Sequence, residues 1–262
     1  MNSWLAFFLG MVVVLLIFAA AIAIIRSPWR TIFGGFLWII GLAYVRVFHR
    51  FRTEGRENLP HQRSPGPLII VANHTAGIDP ILIQAACPFP IRWVMAEDMR
   101  LPWLNWLWKR LGIIFVARGK AEVAGVREAI RHVKEGGVLG IFPEGGIERP
   151  PSHVMPFHPG AGFILRRTKA PVLPVLIDNT PQVEPAWASL WKPSRPRLRF
   201  KPVLNPALNG HSPEEIMHEL RGQFMEWTGW PASEHRELEP AAPSLPEDAP
   251  PAGEPPIDPS RN

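Results

Sequence analysis

The segment PLIIVANHTAGIDPILIQAAC, residues 67–87, gives the clearest indication of the fold. Its first apolar part, residues 68–72, is typical of a strand that is buried on both faces. After a polar turn, Asp79 and Pro80 open a second apolar segment. Aspartate is favoured at a helix N-cap and proline at the first helical position, so this segment is predicted to be a helix. A buried strand that leads through one turn into a helix predicts an α/β unit.

Further short apolar runs bounded by Gly or Pro continue this alternation. They are IRWVMA, GIIFVAR, GGVLGIFPEG, APVLPVLID and RLRFKPVL. Helical patterns lie between them at residues 121–135 and 160–168, and residues 212–227 predict a closing helix that begins with Ser-Pro-Glu-Glu. We therefore predict an α/β fold at residues 53–230, with a buried mixed, mostly parallel sheet flanked by helices.

The first 52 residues are predicted to form a membrane anchor. Residues 4–25 carry no charge, and as a helix they reach about 33 Å, enough to cross a hydrocarbon core of roughly 30 Å. No basic residue precedes them, which favours an uncleaved transmembrane helix over a signal peptide. Arg26 and Arg30 follow, so the remaining chain is predicted to lie at the cytoplasmic face of the cell membrane. Residues 31–48 form either a second span or an interfacial helix, and the basic residues on both sides favour the interface.

The composition is consistent with a membrane protein. Charged residues make up 19% of the chain, and there are eleven tryptophans against one tyrosine; tryptophan favours membrane interfaces. Residues 231–262 hold nine prolines and seven acidic residues, so we predict a disordered acidic tail. The remaining chain is basic, which suits a phospholipid surface, a phosphorylated substrate or an acidic carrier protein. The alternative explanation of this excess of basic residues is a positive-inside bias combined with solvated surface charge.

His74 and Asp79 are the candidate catalytic pair. Five residues on one continuous helix would point these side chains about 140° apart, so they meet only if the chain turns, which Gly77 makes easy. A histidine oriented by a carboxylate can take the proton of an attacking hydroxyl. The alternative is purely structural, with Asp79 as a helix N-cap and His74 in a loop.

No protein nucleophile accompanies this pair in the sequence. There is no G-x-S-x-G elbow, and the single cysteine, Cys87, lies in an apolar helix pattern. The chemistry indicated is therefore direct transfer to a substrate hydroxyl. His153 and His158 are five positions apart, which matches no standard metal-ligand spacing, so neither a metal nor another cofactor is predicted.

Two glycine-bounded turns carry candidate anion-binding groups. The strand GIIFVAR delivers Arg118 to its C-terminal end, where ligands bind in α/β sheets. In GIFPEGGIERP, Gly145 and Gly146 offer backbone N–H groups to an anion, Glu144 offers a carboxyl, and Arg149 adds a positive charge. Taken singly, these features are better explained as a surface arginine and a connecting turn.

Four motifs together resemble the glycerolipid acyltransferase family, whose best-known members are the lysophosphatidic acid acyltransferases. NHTAGID resembles the Asn-His-x4-Asp motif, GIIFVAR the Gly-x-x-Phe-Ile/Val-x-Arg motif, FPEGGIER the Phe-Pro-Glu-Gly-Thr-Arg block, and APVLPVLI the later proline motif. They occur in the family's order over residues 68–177, and a hydrophobic N-terminal anchor is also usual in the family.

This resemblance implies acyl transfer from acyl-CoA or acyl-carrier protein, as co-substrate, to a lysophospholipid hydroxyl. The expected acceptor is 1-acylglycerol-3-phosphate, which would give phosphatidate in phospholipid biosynthesis, and no nucleic-acid partner is expected. By carry-over His74 is the general base and Asp79 orients it. The expected substrate-binding residues are Asn73, Gly112, Arg118, Glu144, Gly145, Gly146 and Arg149.

Two segments depart from the family pattern. Gly146 and Ile147 stand where Thr-Arg is usual, and Arg149 comes two positions late. Phe157-His158-Pro159-Gly160 stands where many members have Phe-Lys-x-Gly, so two expected cations are missing or displaced. Losing a charge-assisted phosphate contact costs about 1.5–3 kcal/mol. The alternatives are therefore an acyltransferase that acts on another lysolipid, such as an amino-containing one, or a lipid-binding relative without catalysis.

Overall fold

The computed structural model describes residues 3–116, 123–205 and 211–233. The strands are β1 (Arg52–Glu54), β2 (Leu68–Ala72), β3 (Arg92–Ala96), β4 (Ile114–Val116), β5 (Val138–Ile141), β6 (Val172–Asp178) and β7 (Arg197–Phe200). The α-helices are α1 (Ser3–Arg26), α2 (Ile32–Val47), α3 (Asp79–Ala86), α4 (Asn105–Leu111), α5 (Val123–Lys134), α6 (Pro159–Thr168) and α7 (Pro213–Thr228).

All seven strands join one sheet in the order β1-β7-β6-β2-β5-β3-β4. The five strands from β6 to β4 in this order run parallel to one another. β7 is antiparallel to β6, and β1 is parallel to β7. The predicted mixed, mostly parallel sheet flanked by helices is therefore confirmed.

The central strand β2 shows why the sheet is buried on both faces. Leu68, Ile70 and Ala72 pack with α3 on one side, whereas Ile69 and Val71 pack with α5, α6 and α7 on the other. Successive side chains of a strand point to opposite faces, so an unbroken apolar run supplies both cores. Burying each Ile or Leu side chain contributes about 1.5–3 kcal/mol.

Helices α1 and α2 pair as an N-terminal hairpin. Within α1, residues Trp4–Ile22 have a mean hydropathy of 3.0 and none of them is buried, so this helix is long and apolar enough to cross a membrane. α2 is shorter, and its C-terminal end is attached to the α/β domain. Val45 is fully buried in the core beside α3, and buried His49 accepts or donates hydrogen bonds with Tyr44 Oη (2.9 Å) and Ser194 Oγ (2.7 Å).

The closing helix α7 forms as its sequence predicts. Ser212 caps it: the Ser212 hydroxyl accepts from the Glu215 N–H, and the Glu215 carboxylate accepts from the Ser212 N–H. Beyond the helix, Ala232 forms a bridge with Val154, so the folded body continues to Ser233. The rest of the predicted disordered tail, 234–262, lies outside the described residues.

Close packing of α6 on α7 gives a first test of this architecture. A Cβ on Gly162 of α6 would lie 2.2 Å from the Pro213 carbonyl oxygen of α7, so we expect Gly162→Ala to destabilise the domain by about 1–3 kcal/mol through overpacking. Gly222 is the matched control, since it is an exposed α7 residue whose Cβ would meet open space. Gly222→Ala should stabilise the helix by about 0.5–1 kcal/mol.

The measurement is thermal unfolding in detergent by circular dichroism, where each kcal/mol shifts Tm by about 2–4 °C. Equal Tm changes in the two variants would contradict the described contact between α6 and α7.

Candidate active site

The candidate site lies at the edge of the sheet where the five parallel strands end. His74 follows β2 by two residues, and Phe142 directly follows β5. Because β2 and β5 are hydrogen-bonded neighbours, the two connecting loops lie side by side. Ligand sites in parallel α/β sheets are found at this edge.

His74 and Asp79 are in direct contact. His74 Nδ1 lies 2.9 Å from Asp79 Oδ2, and the Asp79 side chain is fully buried, whereas that of His74 is 19% exposed. Because a carboxylate can only accept a hydrogen bond, this contact indicates that Nδ1 of the neutral imidazole carries the proton and donates it in a hydrogen bond to Asp79. The second ring nitrogen, Nε2, is then the basic atom that a substrate can reach.

The expectation that Asp79 is the N-cap of the following helix is wrong. Ile78 takes that position, and Asp79 is already helical. The Asp79 carboxylate turns back and accepts hydrogen bonds from the backbone N–H groups of Thr75 (2.6 Å) and Ala76 (2.9 Å). The Thr75 hydroxyl donates to it as well. Asp79 thus stabilises the turn that brings His74 to it.

Gly77 lies in this turn. The glycine is needed there because it allows close packing, not because the backbone adopts an unusual angle. The turn is closed by a hydrogen bond from the Asp79 N–H to the Ala76 carbonyl (3.1 Å). A Cβ on Gly77 would lie 2.5 Å from the Ala186 carbonyl oxygen. The loop that follows β6 therefore presses directly on the His74 turn, and a larger residue at position 77 would displace one of them.

Asn73 is placed differently from its predicted substrate-binding role. It is fully buried, its Nδ2 donates to the Ile177 carbonyl (2.9 Å), and its Oδ1 accepts from the Ile177 N–H (2.8 Å). The side-chain amide thus extends the pairing of β2 with β6 by one step. Asn73 anchors the start of the catalytic loop, and its polar atoms are occupied by the backbone.

A stack of three rings holds His74 on one face of its imidazole ring. The His74 and Phe142 rings are 4.1 Å apart at an angle of 17°, and the Phe142 and Trp93 rings are 5.0 Å apart at 12°. Gly140 leaves the room for Trp93, since a Cβ there would lie 2.4 Å from the indole. The imidazole is thereby fixed by a hydrogen bond at its edge and by stacking on its face.

Two buried glutamates, Glu144 and Glu148, lie in the loop that contacts the backbone of His74. The Glu148 N–H donates to the His74 carbonyl (2.7 Å). Both Glu144 carboxyl oxygens and one of Glu148 are buried and have no hydrogen-bond partner among the described residues. Burial, followed by the charge of Glu148, raises the pKa of Glu144 well above its usual range. Burial also raises the pKa of Glu148 to about 7.

The glycine turn after Glu144 is only partly available to an anion. Gly145 has φ +72°, and its N–H donates to the Phe142 carbonyl (3.2 Å), so the prediction that this N–H is free for a ligand is wrong. The N–H of Gly146 has no hydrogen-bond partner within the described ranges. Arg149 forms an ion pair with Glu184 at the surface. Its guanidinium is therefore already neutralised by a carboxylate.

Gly112 is not brought to the site. It precedes β4 and so lies at the opposite edge of the sheet from His74. Gly112 ends α4 in the left-handed conformation, with φ +69°, and its carbonyl accepts from Arg92 Nε (2.5 Å). Arg118 lies outside the described residues; β4, which ends at Val116, points the chain toward the catalytic edge.

Several site residues were not predicted from the sequence. Phe142 and Glu148 lie inside the FPEGGIER block, and their positions next to Glu144 were the available signal. Thr75 lies inside the His-x4-Asp motif. Trp93 has no local signal, because its contact with Phe142 depends on the neighbouring positions of β3 and β5 in the sheet.

Neither histidine of the HVMPFH segment takes part in a metal cluster. His153 Nδ1 contacts the Pro151 carbonyl, and His158 caps α6. In the part of the chain that the structure describes, no three His, Cys, Asp or Glu side chains are grouped for metal binding.

This domain is similar to a family of known acyltransferases. The family model described as Acyltransferase matches residues 50–178, which include the His74–Asp79 turn, the Glu144 loop and β6. This segment belongs to that family, and the resemblance drawn from the four sequence motifs is confirmed.

Individual relatives share this domain. The chain is 33% identical over 150 residues to a protein of Borreliella burgdorferi named 1-acyl-sn-glycerol-3-phosphate acyltransferase, over 55% of this chain and 54% of the relative. It is 25% identical over 181 residues to a protein of the same name from Saccharomyces cerevisiae, over 67% of this chain and 58% of the relative. The chain thus spans a little over half the length of these relatives.

A solved structure shows the same fold. The 1-acyl-sn-glycerophosphate acyltransferase PlsC from Thermotoga maritima matches with a TM-score of 0.59 and 24% identity, over 75% of this chain and 87% of that one.

The raised pKa of Glu148 gives a pH-dependent prediction. Its usual value is 4.5 and the folded value is about 7, so the folded state binds this proton more tightly than the unfolded chain does. The contribution of Glu148 is therefore most favourable at low pH, and stability is lost as pH rises through about 7. Glu148→Gln keeps an oxygen for the Ser152 and Gln182 donors without this charge, so its Tm should exceed that of the wild type at pH 8 and differ less at pH 5.

Glu226→Gln is the matched control, because Glu226 is an exposed residue on α7. Tm is measured from pH 5 to pH 8 for the three proteins. A Glu148→Gln curve that is parallel to that of the wild type would show that Glu148 titrates in the same way in the folded and unfolded chains.

Proposed function

We propose that this chain is an O-acyltransferase that moves an acyl group from a thioester donor to the hydroxyl of a lysophospholipid. The observation that carries the proposal is the 2.9 Å contact of His74 Nδ1 with buried Asp79. This contact leaves Nε2 as a base at the edge of the sheet where ligands bind. The family match supports the same chemistry.

The reaction proceeds without a covalent enzyme intermediate. The acceptor hydroxyl oxygen attacks the thioester carbonyl carbon while His74 Nε2 takes the hydroxyl proton. The new C–O bond forms, the C–S bond breaks, and the departing thiolate receives the proton from the imidazolium. Asp79 stabilises that imidazolium and holds the ring in place. Cys87 is buried, and its burial raises the thiol pKa far above the usual range, so it does not serve as a nucleophile.

The acceptor we propose first is 1-acylglycerol-3-phosphate, with phosphatidate as the product in phospholipid biosynthesis. The support is the name that these relatives share, together with the unpartnered Glu144 carboxyl and Gly146 N–H in the loop that follows β5. Acyl-CoA or acyl-carrier protein would be the donor, and no further cofactor is required by the chemistry.

A second acceptor is favoured by one observation. Ile147 stands where a cation is usual in the family, and Arg149 is paired with Glu184. Meanwhile two buried carboxyl groups, those of Glu144 and Glu148, belong to the loop whose backbone contacts His74. An acidic wall without a cation suits a lysolipid headgroup that carries an amine rather than a phosphomonoester.

We further propose that the enzyme is anchored in the bilayer by α1, with the α/β domain on the cytoplasmic side. The exposed apolar surface of Trp4–Ile22 supports the anchor, and the basic residues that follow support the orientation. α2, which joins α1 to the domain, would lie in the interface. This arrangement would hold the candidate site next to the bilayer, where lysophospholipids are found.

His74→Ala tests the proposed chemistry. We expect kcat/KM to fall by at least about 10²-fold, because general-base catalysis contributes about 10²–10⁴-fold. The assay follows transfer of a labelled acyl group in detergent, and circular dichroism checks that the variant folds. His61→Ala is the matched control, since His61 is exposed and outside the site. Full activity in a folded His74→Ala protein would show that the proposed mechanism is wrong.

A panel of lysolipids tests the acceptor. Lysophosphatidate and a lysolipid with a primary amine in its headgroup are supplied with each donor, and products are separated by thin-layer chromatography. We expect lysophosphatidate to be consumed. Consumption of the amine-bearing lysolipid alone would establish the second acceptor, and saturable binding without any product would identify a non-catalytic lipid-binding protein.

A further inference from the structure

A groove between α5 and α6 is not used by the mechanism above. Its volume is about 750 Å³. The apolar part is formed by Val126 and Ile130 of α5 and by Phe163 of α6, and Phe163 is 43% exposed. The groove is therefore an apolar depression open to solvent, of the kind that accepts the apolar side chains of a partner helix.

Basic residues surround this depression. Arg127, Arg131 and Lys134 are spaced at i, i+4 and i+7, so they share one face of α5, and Arg167 lines the groove from α6. These four side chains are exposed, and no carboxylate within the described ranges pairs with any of them. The only acidic residue among those that line the groove is Glu135. Such a concentration of one sign of charge attracts an anionic partner.

The position of the groove separates it from the membrane anchor. α5 and α6 pack on the face of the sheet opposite to α2 and α3, and α2 is the helix that pairs with α1. The groove therefore faces a soluble partner more readily than the bilayer.

One end of the groove adjoins the catalytic edge. Gly160 lines it, and two residues earlier the His158 N–H donates to the carbonyl of Pro143, at 2.6 Å. Pro143 directly precedes Glu144, whose carboxyl lies beside His74. A partner seated in the groove would thus be next to the loop that carries Glu144.

We infer that the α5–α6 groove docks an acidic helix of an acyl-carrier protein, which presents the acyl thioester to His74. This inference rests on the proposed function, since it names the donor of the same reaction. The cations pair with the partner's carboxylates, and Phe163 receives an apolar side chain. A free acyl-CoA carries phosphates but no helix. It would therefore not fill the apolar part of the groove, and it would not contact all of the basic residues along α5.

The experiment compares two donors on the full chain in detergent. Arg131→Glu combined with Arg167→Glu should lower kcat/KM with a palmitoyl-loaded acyl-carrier protein by at least about tenfold, because charge reversal weakens a steered encounter by this order. With palmitoyl-CoA the change should stay within about twofold, since only the carrier's acidic helix uses this face. Lys192→Glu combined with Arg195→Glu reverses two exposed charges outside the groove and should leave both donors unaffected.

Fluorescence anisotropy of a labelled, unacylated carrier protein measures docking without catalysis. Weaker binding to the groove variant than to the control supports the inference even if no transfer occurs, in which case only the proposed function fails. Equal losses with both donors would assign the groove to the phosphates of acyl-CoA. Unchanged carrier binding and transfer in the groove variant would overturn the inference.

Discussion

The site depends on the buried Asp79 carboxylate. One oxygen accepts from two backbone N–H groups of the preceding turn and contacts His74 Nδ1, while the Thr75 hydroxyl adds a further bond. A carboxylate loses several kcal/mol of solvation when it is buried, and only such a complete set of partners offsets this cost. The same interaction therefore shapes the turn that leads into α3 and orients the His74 ring. These two effects cannot be altered separately by changing this residue.

Much of the fold was predictable because the sheet is buried on both faces. Local sequence alone is enough to recognise the apolar runs of β2, β5 and β6 and the capping sequence at Ser212. The site was less predictable. The turn between His74 and Asp79 followed from helix geometry, but the direction of the Asp79 carboxylate did not, because an aspartate beside a proline is equally suited to capping. Glycine motifs were the weakest guide: Gly112 serves the opposite edge of the sheet, and the Gly145 N–H closes a turn.

The site is unusual in its balance of charge. Asp79 is satisfied by hydrogen bonds, whereas Glu144 and Glu148 are buried with unpartnered oxygens. Burial raises the proton affinity of both carboxyl groups, and the charge of Glu148 raises that of Glu144 further. Such groups change from hydrogen-bond donors to acceptors as they lose protons, so the hydrogen bonds that these two side chains can offer to a ligand change with pH.

The two faces of the sheet carry different neighbours: the N-terminal hairpin packs on one, and the basic groove lies on the other. In the mechanism we propose, a lipid acceptor and a soluble donor would approach the candidate site along separate routes. Because that mechanism stores no acyl group on an enzyme side chain, both substrates would have to be bound together before either product leaves. The proposed mechanism thus predicts a ternary complex and sequential kinetics, in which neither substrate has to leave before the other can bind.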